Sequence, residues 1–257
     1  MNTAPFFSVI TASYNSERTI KKTIESLLIQ NFSDFEYIIV DGNSTDKTVT
    51  IIKSFEPEFA AKNITFKFIS EKDKGIYDAW NKGVAMADGK WISFLGSDDC
   101  YFPDALITYF EKISQLQNNE NYISSQVHVV DENGNVMRTM GKAYQWKNML
   151  KNMNIAQVGS FHKRELFQEI GPFSLEYRIV SDLDFYIRGK DYIKPYYFKE
   201  VTATMENNGV SNQINKALKE ALKVRLKYNY DSKLTIYLNH YITFLKCYGG
   251  KIKKGAK

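Results

Sequence analysis

The chain has 257 residues, 44% of them hydrophobic and 25% charged, with a formal net charge of +5. This length and composition exclude a disordered chain and suit one α/β domain with an appendage. Its two cysteines, Cys100 and Cys247, lie far apart in the sequence, which excludes a disulfide framework and a cysteine metal site and favours a reducing, cytoplasmic compartment.

Four short apolar runs alternate with helical patterns in the N-terminal part of the chain. The runs cover residues 7–11, 37–40, 66–70 and 91–95. Capping side chains at residues 43–46 precede one of the helical patterns. Strands that alternate with helices predict right-handed βαβ units and a mainly parallel sheet, with ligands bound outside the carboxyl ends of the strands.

The run at residues 91–95 leads straight into Asp98 and Asp99. Two adjacent carboxylates repel each other, and neither gains from burial unless a cation compensates its charge. Divalent magnesium or manganese commonly bridges one or two carboxylates to the phosphates of a substrate. The sequence therefore predicts a metal-assisted site for a donor that carries a diphosphate.

Beyond the two aspartates the pattern changes. Residues 104–117 form a helical pattern, and residues 122–130 and 136–139 flank a turn, which predicts an antiparallel hairpin and therefore a mixed sheet. A break at residues 171–173 precedes a further helical pattern within residues 177–188.

The basic excess lies in residues 213–257, which hold eleven Lys and Arg against two Asp and Glu, whereas residues 1–212 carry a net charge of −4. Apolar residues at 234, 237, 238, 241, 242 and 245 form one helical stripe, and Lys251, Lys253 and Lys254 follow it. We divide the chain into a domain of residues 1–212 and a basic amphipathic tail of residues 213–257. Such a tail either lies in an anionic membrane interface or packs on the domain.

Nucleic acid is not an expected partner, because the acidic body would repel its phosphates and no nucleic-acid-binding signature occurs. No apolar run reaches the roughly 18 residues that a membrane span needs. We expect a protein that is neither secreted nor membrane-spanning.

Four motifs occur in order along the chain: SVITASYN at residues 8–15, VDGNSTD at 40–46, GIYDAWNKG at 75–83 and GSDD at 96–99. Together they resemble the family 2 inverting glycosyltransferases with the GT-A fold, particularly bacterial enzymes of surface-polysaccharide assembly (O-antigen, capsule or exopolysaccharide). The likeness covers about residues 6–212. It implies a Rossmann-like α/β fold with a mixed, mainly parallel central sheet and flanking helices.

The resemblance also implies roles for single residues. Ala12 and Tyr14 would border the nucleotide base, and Asp41 would accept a hydrogen bond from a uracil-like imide. Asp99, assisted by Asp98, would hold a manganese or magnesium ion beside the donor's phosphates. Lys74 would add positive charge there, although a lysine in a charged loop is also commonly solvated.

An inverting transfer needs a general base. Relatives commonly supply it from a Glu-Asp pair, and the matching position here reads Ser181-Asp182. We expect Asp182 to be the base, with Asp184 as the competing candidate; Asp184 would otherwise complement the helix N-terminus. His162 either faces the acceptor cleft or is structural.

Three further features bear on the reaction. Gly42 stands where many relatives have an acidic residue, which indicates different or looser base recognition. The Gln-x-x-Arg-Trp signature of processive synthases is absent, which predicts transfer of one sugar per encounter. Residues 207–211 resemble a flexible loop that covers the donor in relatives, and an ordinary turn is the alternative.

The expected function is transfer of one sugar, most consistent with a UDP-sugar donor, to a lipid-linked glycan at the cytoplasmic face of the cell membrane, where the enzyme would be peripheral. A catalytically silent scaffold that binds a nucleotide sugar or a glycan is the alternative. Retention of both Asp99 and Asp182 argues against a silent protein.

Overall fold

The computed structural model describes residues 4–117, 119–207 and 213–252. The strands of these residues are β1 (Phe7–Ser13), β2 (Phe35–Asp41), β3 (Thr65–Ser70), β4 (Trp91–Phe94), β5 (Cys100–Tyr101), β6 (Tyr122–Val130), β7 (Val136–Met140), β8 (Ser160–Lys163) and β9 (Pro195–Glu206). The helices are α1 (Ile20–Leu28), α2 (Thr48–Ser54), α3 (Glu56–Ala61), α4 (Ile76–Met86), α5 (Ala105–Ser114), α6 (Trp146–Met149), α7 (Leu166–Glu169), α8 (Ser181–Arg188), α9 (Ile214–Tyr228) and α10 (Lys233–Ile252).

All of these strands belong to one sheet with the order β3-β2-β1-β4-β8-β6-β9-β5, and β7 pairs with the outer part of β6. The segment β3-β2-β1-β4 is parallel. The strand β8 is antiparallel to both β4 and β6, whereas β6 and β9 are parallel. The predicted mixed α/β sheet and the hairpin of β6 and β7 are confirmed.

The strands β1, β2 and β4 are buried on both faces, whereas the edge strand β3 is partly exposed. Alternate side chains of β2 enter two separate cores: Phe35, Tyr37 and Ile39 pack in one, and Ile38 and Val40 pack in the other. This follows from the two-residue period of a strand, and it explains why β2 is a continuous apolar run and not an alternating one. The first core also contains α1, α2, α3 and α5 residues, and the second contains α4, α8 and α9 residues.

The helix α9 packs on the α/β body, because Ala221 and Val224 lie in the second core and Arg225 Nε donates to the Met149 carbonyl at 3.2 Å. The following helix α10 buries Ile236, yet the apolar stripe predicted from the sequence is exposed. Within the described residues, no helix combines the length and apolarity that a membrane span requires. Lys253 and Lys254 lie outside the described residues.

Candidate functional site

The loops after β1 and β2 are joined at the carboxyl edge of the sheet. Asn15 and Asn43 have left-handed backbones, with φ of 49° and 64°, which asparagine tolerates better than most residues. Asn15 N donates to Ser44 Oγ at 2.8 Å, and Asn15 Oδ1 accepts from Thr45 N at 2.9 Å. These bonds fix the two loops against each other and form one wall of a cleft.

This cleft has a volume of about 520 Å³. Its lining is polar and comes from the β1–α1 loop, the β2–α2 loop, the end of β4 and the end of β9: Asn15, Ser16, Glu17, Arg18, Thr19, Asp46, Ser97, Asp98 and Glu206. Asp98 is expected here from the sequence. Glu206 carries no local sequence signal, because the non-local pairing of β9 with β6 brings it to the cleft.

The carboxylates of Asp98 and Asp99 converge on Gly96. Asp99 Oδ2 and Asp98 Oδ1 lie 2.6 and 2.9 Å from the point that a Cβ on residue 96 would occupy. Asp99 is held by the backbone N–H groups of Gly96 at 3.3 Å and Glu206 at 3.2 Å, and its carbonyl accepts from Thr23 Oγ1 at 2.8 Å. Because any side chain at residue 96 would displace both carboxylates, the glycine permits the convergence.

The side chains of Asp98, Asp99 and Glu206 form an acidic site. The surrounding protein does not compensate all of its negative charge. Burial raises the pKa of Asp99 well above its usual value, and the neighbouring charge of Asp98 adds to that effect. Burial also raises the pKa of Asp98, and burial together with the charge of Asp98 raises the pKa of Glu206. A divalent cation would relieve this repulsion, so the donor set fits a hard metal ion.

Within the described ranges, no group of three or more His, Cys, Asp and Glu side chains is arranged to hold a metal ion. Asp98 and Asp99 would therefore share the ion with phosphate oxygens and water, which is the usual arrangement for magnesium at a phosphate.

Asp41 ends β2 and is fully buried. Its Oδ1 accepts from Ser13 Oγ at 3.0 Å and Ser44 Oγ at 2.5 Å, and its Oδ2 accepts from Ser44 N at 2.8 Å and Ser70 Oγ at 2.7 Å. An ionised carboxylate offers about four acceptor positions, so these four bonds occupy all of them. Asp41 therefore ties the ends of three strands together, and its role as the acceptor for a base stays a prediction.

A second carboxylate, from Asp73, stands beside Gly42. Its Oδ2 lies 2.7 Å from the point where a Cβ on Gly42 would be, and Tyr14 Cδ2 lies 3.3 Å from the same point. Asp73 Oδ1 accepts from Gly75 N at 2.7 Å. Asp73 thus occupies the space of a side chain at residue 42, next to the exposed ring of Tyr14. No sequence motif indicated this position of Asp73.

Ala12 lies at the end of β1, where it pairs with Val40, and it is half-buried. Lys74 is exposed, and its backbone N donates to Asp78 Oδ2 at 3.0 Å. Both residues lie at the carboxyl edge of the sheet, as expected from the sequence. Neither lines the 520 Å³ cleft.

Asp182 lies in the first turn of α8 and is half-buried. Its Oδ1 accepts from Tyr77 Oη at 3.0 Å and from Leu183 N at 2.8 Å. Burial raises the pKa of this carboxyl to about 6, although these two hydrogen bonds and one from its own backbone oppose that shift. Because Tyr77 belongs to the first turn of α4, which follows β3, Asp182 is brought to the edge of the sheet that carries the acidic pair.

The other two titratable candidates are bound within the fold. Asp184 is buried, with Oδ2 accepting from Arg188 Nε and Oδ1 from Tyr228 Oη, both at 2.8 Å. His162 is fully buried and its Nε2 lies 3.0 Å from Tyr186 Oη. Burial lowers the pKa of His162 to about 3, which keeps the ring neutral. These contacts favour structural roles for both residues.

The predicted donor-covering loop at residues 207–211 falls almost entirely outside the described residues, which omit 208–212.

An α/β sheet with a polar crevice at its carboxyl edge is typical of enzymes that bind their ligand at that edge. The chain belongs to glycosyl transferase family 2, whose model matches residues 8–171. It is 33% identical over 215 residues to a PGL/p-HBAD biosynthesis glycosyltransferase of Mycobacterium bovis, a match that covers 82% of this chain and 81% of the relative. The sequence-based assignment to family 2 is confirmed.

Solved structures share the fold. Residues 1–349 of S. aureus TarS in complex with UDP-GlcNAc match with a TM-score of 0.69 and 19% identity, over 93% of this chain and 73% of that one. A mannosyltransferase of Pyrobaculum calidifontis in complex with GDP-Man and Mn²⁺ matches with a TM-score of 0.66 and 15% identity, over 93% and 70%. The chain spans 41% of a longer TarS chain. The predicted GT-A fold is confirmed.

Proposed function

We propose that this glycosyltransferase transfers a single hexosyl or hexosaminyl group, with inversion, from a nucleoside-diphosphate sugar to a hydroxyl of a lipid-linked glycan in bacterial surface-polysaccharide synthesis. The observation that carries the proposal is the convergence of Asp98 and Asp99 on Gly96 at the carboxyl edge of the sheet. UDP is the favoured nucleotide, since the TarS neighbour was solved with UDP-GlcNAc. The neighbour solved with GDP-Man makes GDP the first competitor.

The acidic pair fits a manganese or magnesium ion, which would neutralise charge on the diphosphate as the glycosyl bond breaks. The chain's own residues position the nucleotide. Tyr14 offers an exposed ring for the base, and Ala12 borders it. Asp73 Oδ2, which accepts no hydrogen bond from the described residues, supplies an acceptor for an imide N–H beside the ring. Lys74 lies on the same loop as Asp73 and adds positive charge near the phosphates.

The proposed base is Asp182. The acceptor hydroxyl oxygen attacks the anomeric carbon from the face opposite the diphosphate, a new carbon–oxygen bond forms, and the bond to the diphosphate breaks. The hydroxyl proton passes to Asp182 Oδ2. A carboxyl whose pKa is raised to about 6 is ionised at neutral pH and is a stronger base than an ordinary aspartate, which suits this step.

The properties of the tail are the basis for proposing a lipid-linked acceptor. The exposed apolar side chains of α10 follow one face of the helix, and the basic residues of the tail are adjacent to it. A helix of this kind lies in an anionic interface, where a lipid-linked acceptor is found. We place the enzyme in the cytoplasm, peripheral to the inner face of the cell membrane.

Calorimetric titration of UDP, GDP, CDP and dTDP into the protein, each with manganese and with EDTA, tests the donor class. We expect one nucleotide to bind with manganese and to lose affinity in EDTA. The control is Asp99→Ala, which should bind that nucleotide weakly under both conditions.

No binding of any of the four nucleotides would overturn the proposal. Binding without release of nucleoside diphosphate from the matching sugar nucleotide, with or without membrane extract as the acceptor source, would favour the catalytically silent scaffold.

A further inference from the structure

The carboxylate of Asp182 is held through one of its two oxygens. Oδ1 accepts both hydrogen bonds, from Tyr77 Oη at 3.0 Å and from Leu183 N at 2.8 Å. Within the part of the chain that the structure describes, no other residue donates a hydrogen bond to Oδ2, and Asp182 is half-buried. An acceptor hydroxyl would therefore meet Oδ2, with its direction fixed by the groups that hold Oδ1.

Tyr77 is a rigid donor for this purpose. It is buried in the first turn of α4, and its ring contacts those of Trp80 and Phe173 at centroid distances of 5.2 and 5.6 Å. The helix follows Gly75, whose φ of 119° is in the region that glycine alone adopts readily. The phenol is thus held by packing on α4, independently of the helix that carries Asp182.

The Tyr77 hydroxyl has two acceptors and one proton. Besides Asp182 Oδ1, the carbonyl of Ile179 lies 2.8 Å from it. An ionised Asp182 draws the proton, because a charged acceptor makes the stronger hydrogen bond. When Asp182 is neutral, the Tyr77 hydroxyl donates to the Ile179 carbonyl instead. The buried hydroxyl therefore has an acceptor in both protonation states of Asp182. Burial raises the pKa of Tyr77 well above 10, which keeps it a donor.

We propose that Tyr77 is the positioning residue of the general base. Its hydroxyl donates a hydrogen bond to Oδ1 when Asp182 is ionised, and Oδ2 then accepts the proton of the acceptor hydroxyl. The inference rests on the proposed role of Asp182.

Few other titratable groups face Asp182. Tyr186 lies one turn further along α8. Burial raises the pKa of Tyr186 well above 10, and the charge of Asp182 adds to that effect. Glu220 of α9 accepts from Ile179 N at 2.8 Å, and thereby fixes the segment that precedes α8. The pKa of Asp182 itself is set by burial and by hydrogen bonds, with no charged group among its causes. Removal of one hydrogen bond should therefore be visible in its titration.

The first test is the titration of Asp182 by carboxyl ¹³C NMR in protein labelled at aspartate, with the Asp182→Asn spectrum used to assign the signal. We expect Tyr77→Phe to raise the Asp182 pKa by roughly one unit, as the loss of a hydrogen bond to a charged group should. The matched control is Tyr109→Phe, another buried tyrosine, whose hydroxyl bonds Ser125 Oγ in the other core. It should leave the Asp182 signal unchanged.

The second test is kinetic and uses the sugar form of whichever nucleotide binds. The acid limb of kcat/KM should move to higher pH by about one unit in Tyr77→Phe, so that the rate at pH 6 falls several-fold more than the rate at pH 9. Nucleotide affinity should be unchanged.

The results of these tests distinguish the role of Tyr77 from the role of Asp182 as the general base. An unshifted Asp182 titration, or a loss of rate that is equal at every pH, overturns the role of Tyr77 and leaves the base assignment standing. Full activity in Asp182→Asn overturns the base itself, whatever Tyr77→Phe does.

Discussion

The ionised carboxylate of Asp182 lowers the free energy of unfolding of the protein. A carboxyl whose pKa rises from 3.8 unfolded to about 6 folded disfavours the folded state whenever it is ionised. The cost is present above pH 6 and disappears below the unfolded pKa. We expect Asp182→Asn, which keeps an acceptor for Tyr77, to stabilise the protein at pH 8 by about 1–2 kcal/mol, a figure reduced for the solvent screening of a half-buried group.

Thermal unfolding at pH 8 and at pH 3 measures this effect, and the gain should nearly vanish at the lower pH, which lies below the unfolded pKa. The same variant should lose about 10²–10⁴-fold in transfer, the usual contribution of a general base. A variant that is no more stable than the parent protein at pH 8 would contradict the raised pKa.

Substitutions of Asp41 and Asp73 should have different effects, the first on the free energy of unfolding and the second on nucleotide affinity. Asp41→Asn replaces a fully buried carboxylate that accepts four hydrogen bonds, so we expect a loss of about 2–4 kcal/mol in the free energy of unfolding. Asp73→Asn removes the charge of a half-buried acceptor beside Tyr14, so nucleotide affinity should fall while urea unfolding hardly changes. If Asp41→Asn instead kept full stability and lost nucleotide binding, Asp41 would be the acceptor that its family resemblance implies.

The sequence indicated the residues that follow strand ends, and it did not indicate their partners. Asp98 and Asp99 could be predicted because local order alone places them at the carboxyl end of β4. Tyr77 and Asp182 are separated by 105 positions, and their contact depends on how α8 packs against α4. Asp73 meets Gly42 only because β2 and β3 are neighbours in register. Such pairs are set by tertiary packing, which no local motif records.

At the level of elements, the turn that ends β4 depends on a glycine. Gly96→Ala would place a methyl group 2.6 Å from Asp99 Oδ2 and 2.9 Å from Asp98 Oδ1, closer than atoms pack, so both carboxylates must move apart. We expect the variant to fold and to lose the manganese-dependent part of its nucleotide affinity. Calorimetry with manganese and with EDTA measures that part, and an affinity that still depends on manganese as in the parent protein would contradict the proposed site.

Elements with a local signal were predicted, and elements defined by distant partners were not. The predicted run at residues 37–40 lies within β2, where continuous apolar sequence reflects burial on both faces. By contrast, β9 alternates buried and exposed positions irregularly and contains Lys199 and Glu200. Its place in the sheet comes from β6, through a parallel pairing with two register shifts. That pairing is also what brings Glu206 to the acidic site.

On the scale of the whole molecule, the tail consists of two helices with different relations to the body. The helix α9 contributes core residues and buries Arg225, whereas α10 leaves Leu238, Tyr241 and Leu245 about half exposed. A truncation at residue 212 would therefore remove part of the core together with any membrane contact. Substitution of exposed side chains on α10 tests the membrane contact without disturbing the core.

We expect Leu238→Ser combined with Leu245→Ser to lower the partition coefficient onto anionic liposomes, measured by sedimentation, by roughly 100-fold or more, because each buried apolar side chain contributes about 1.5–3 kcal/mol to partitioning. The matched control is Leu175→Ser, an exposed leucine outside the tail, which should bind like the parent protein. High salt should weaken binding of the parent protein, since basic residues attract the surface through screened charges. Equal sedimentation of the double variant and the parent protein would show that α10 does not insert, and the face would then require a protein partner to cover it.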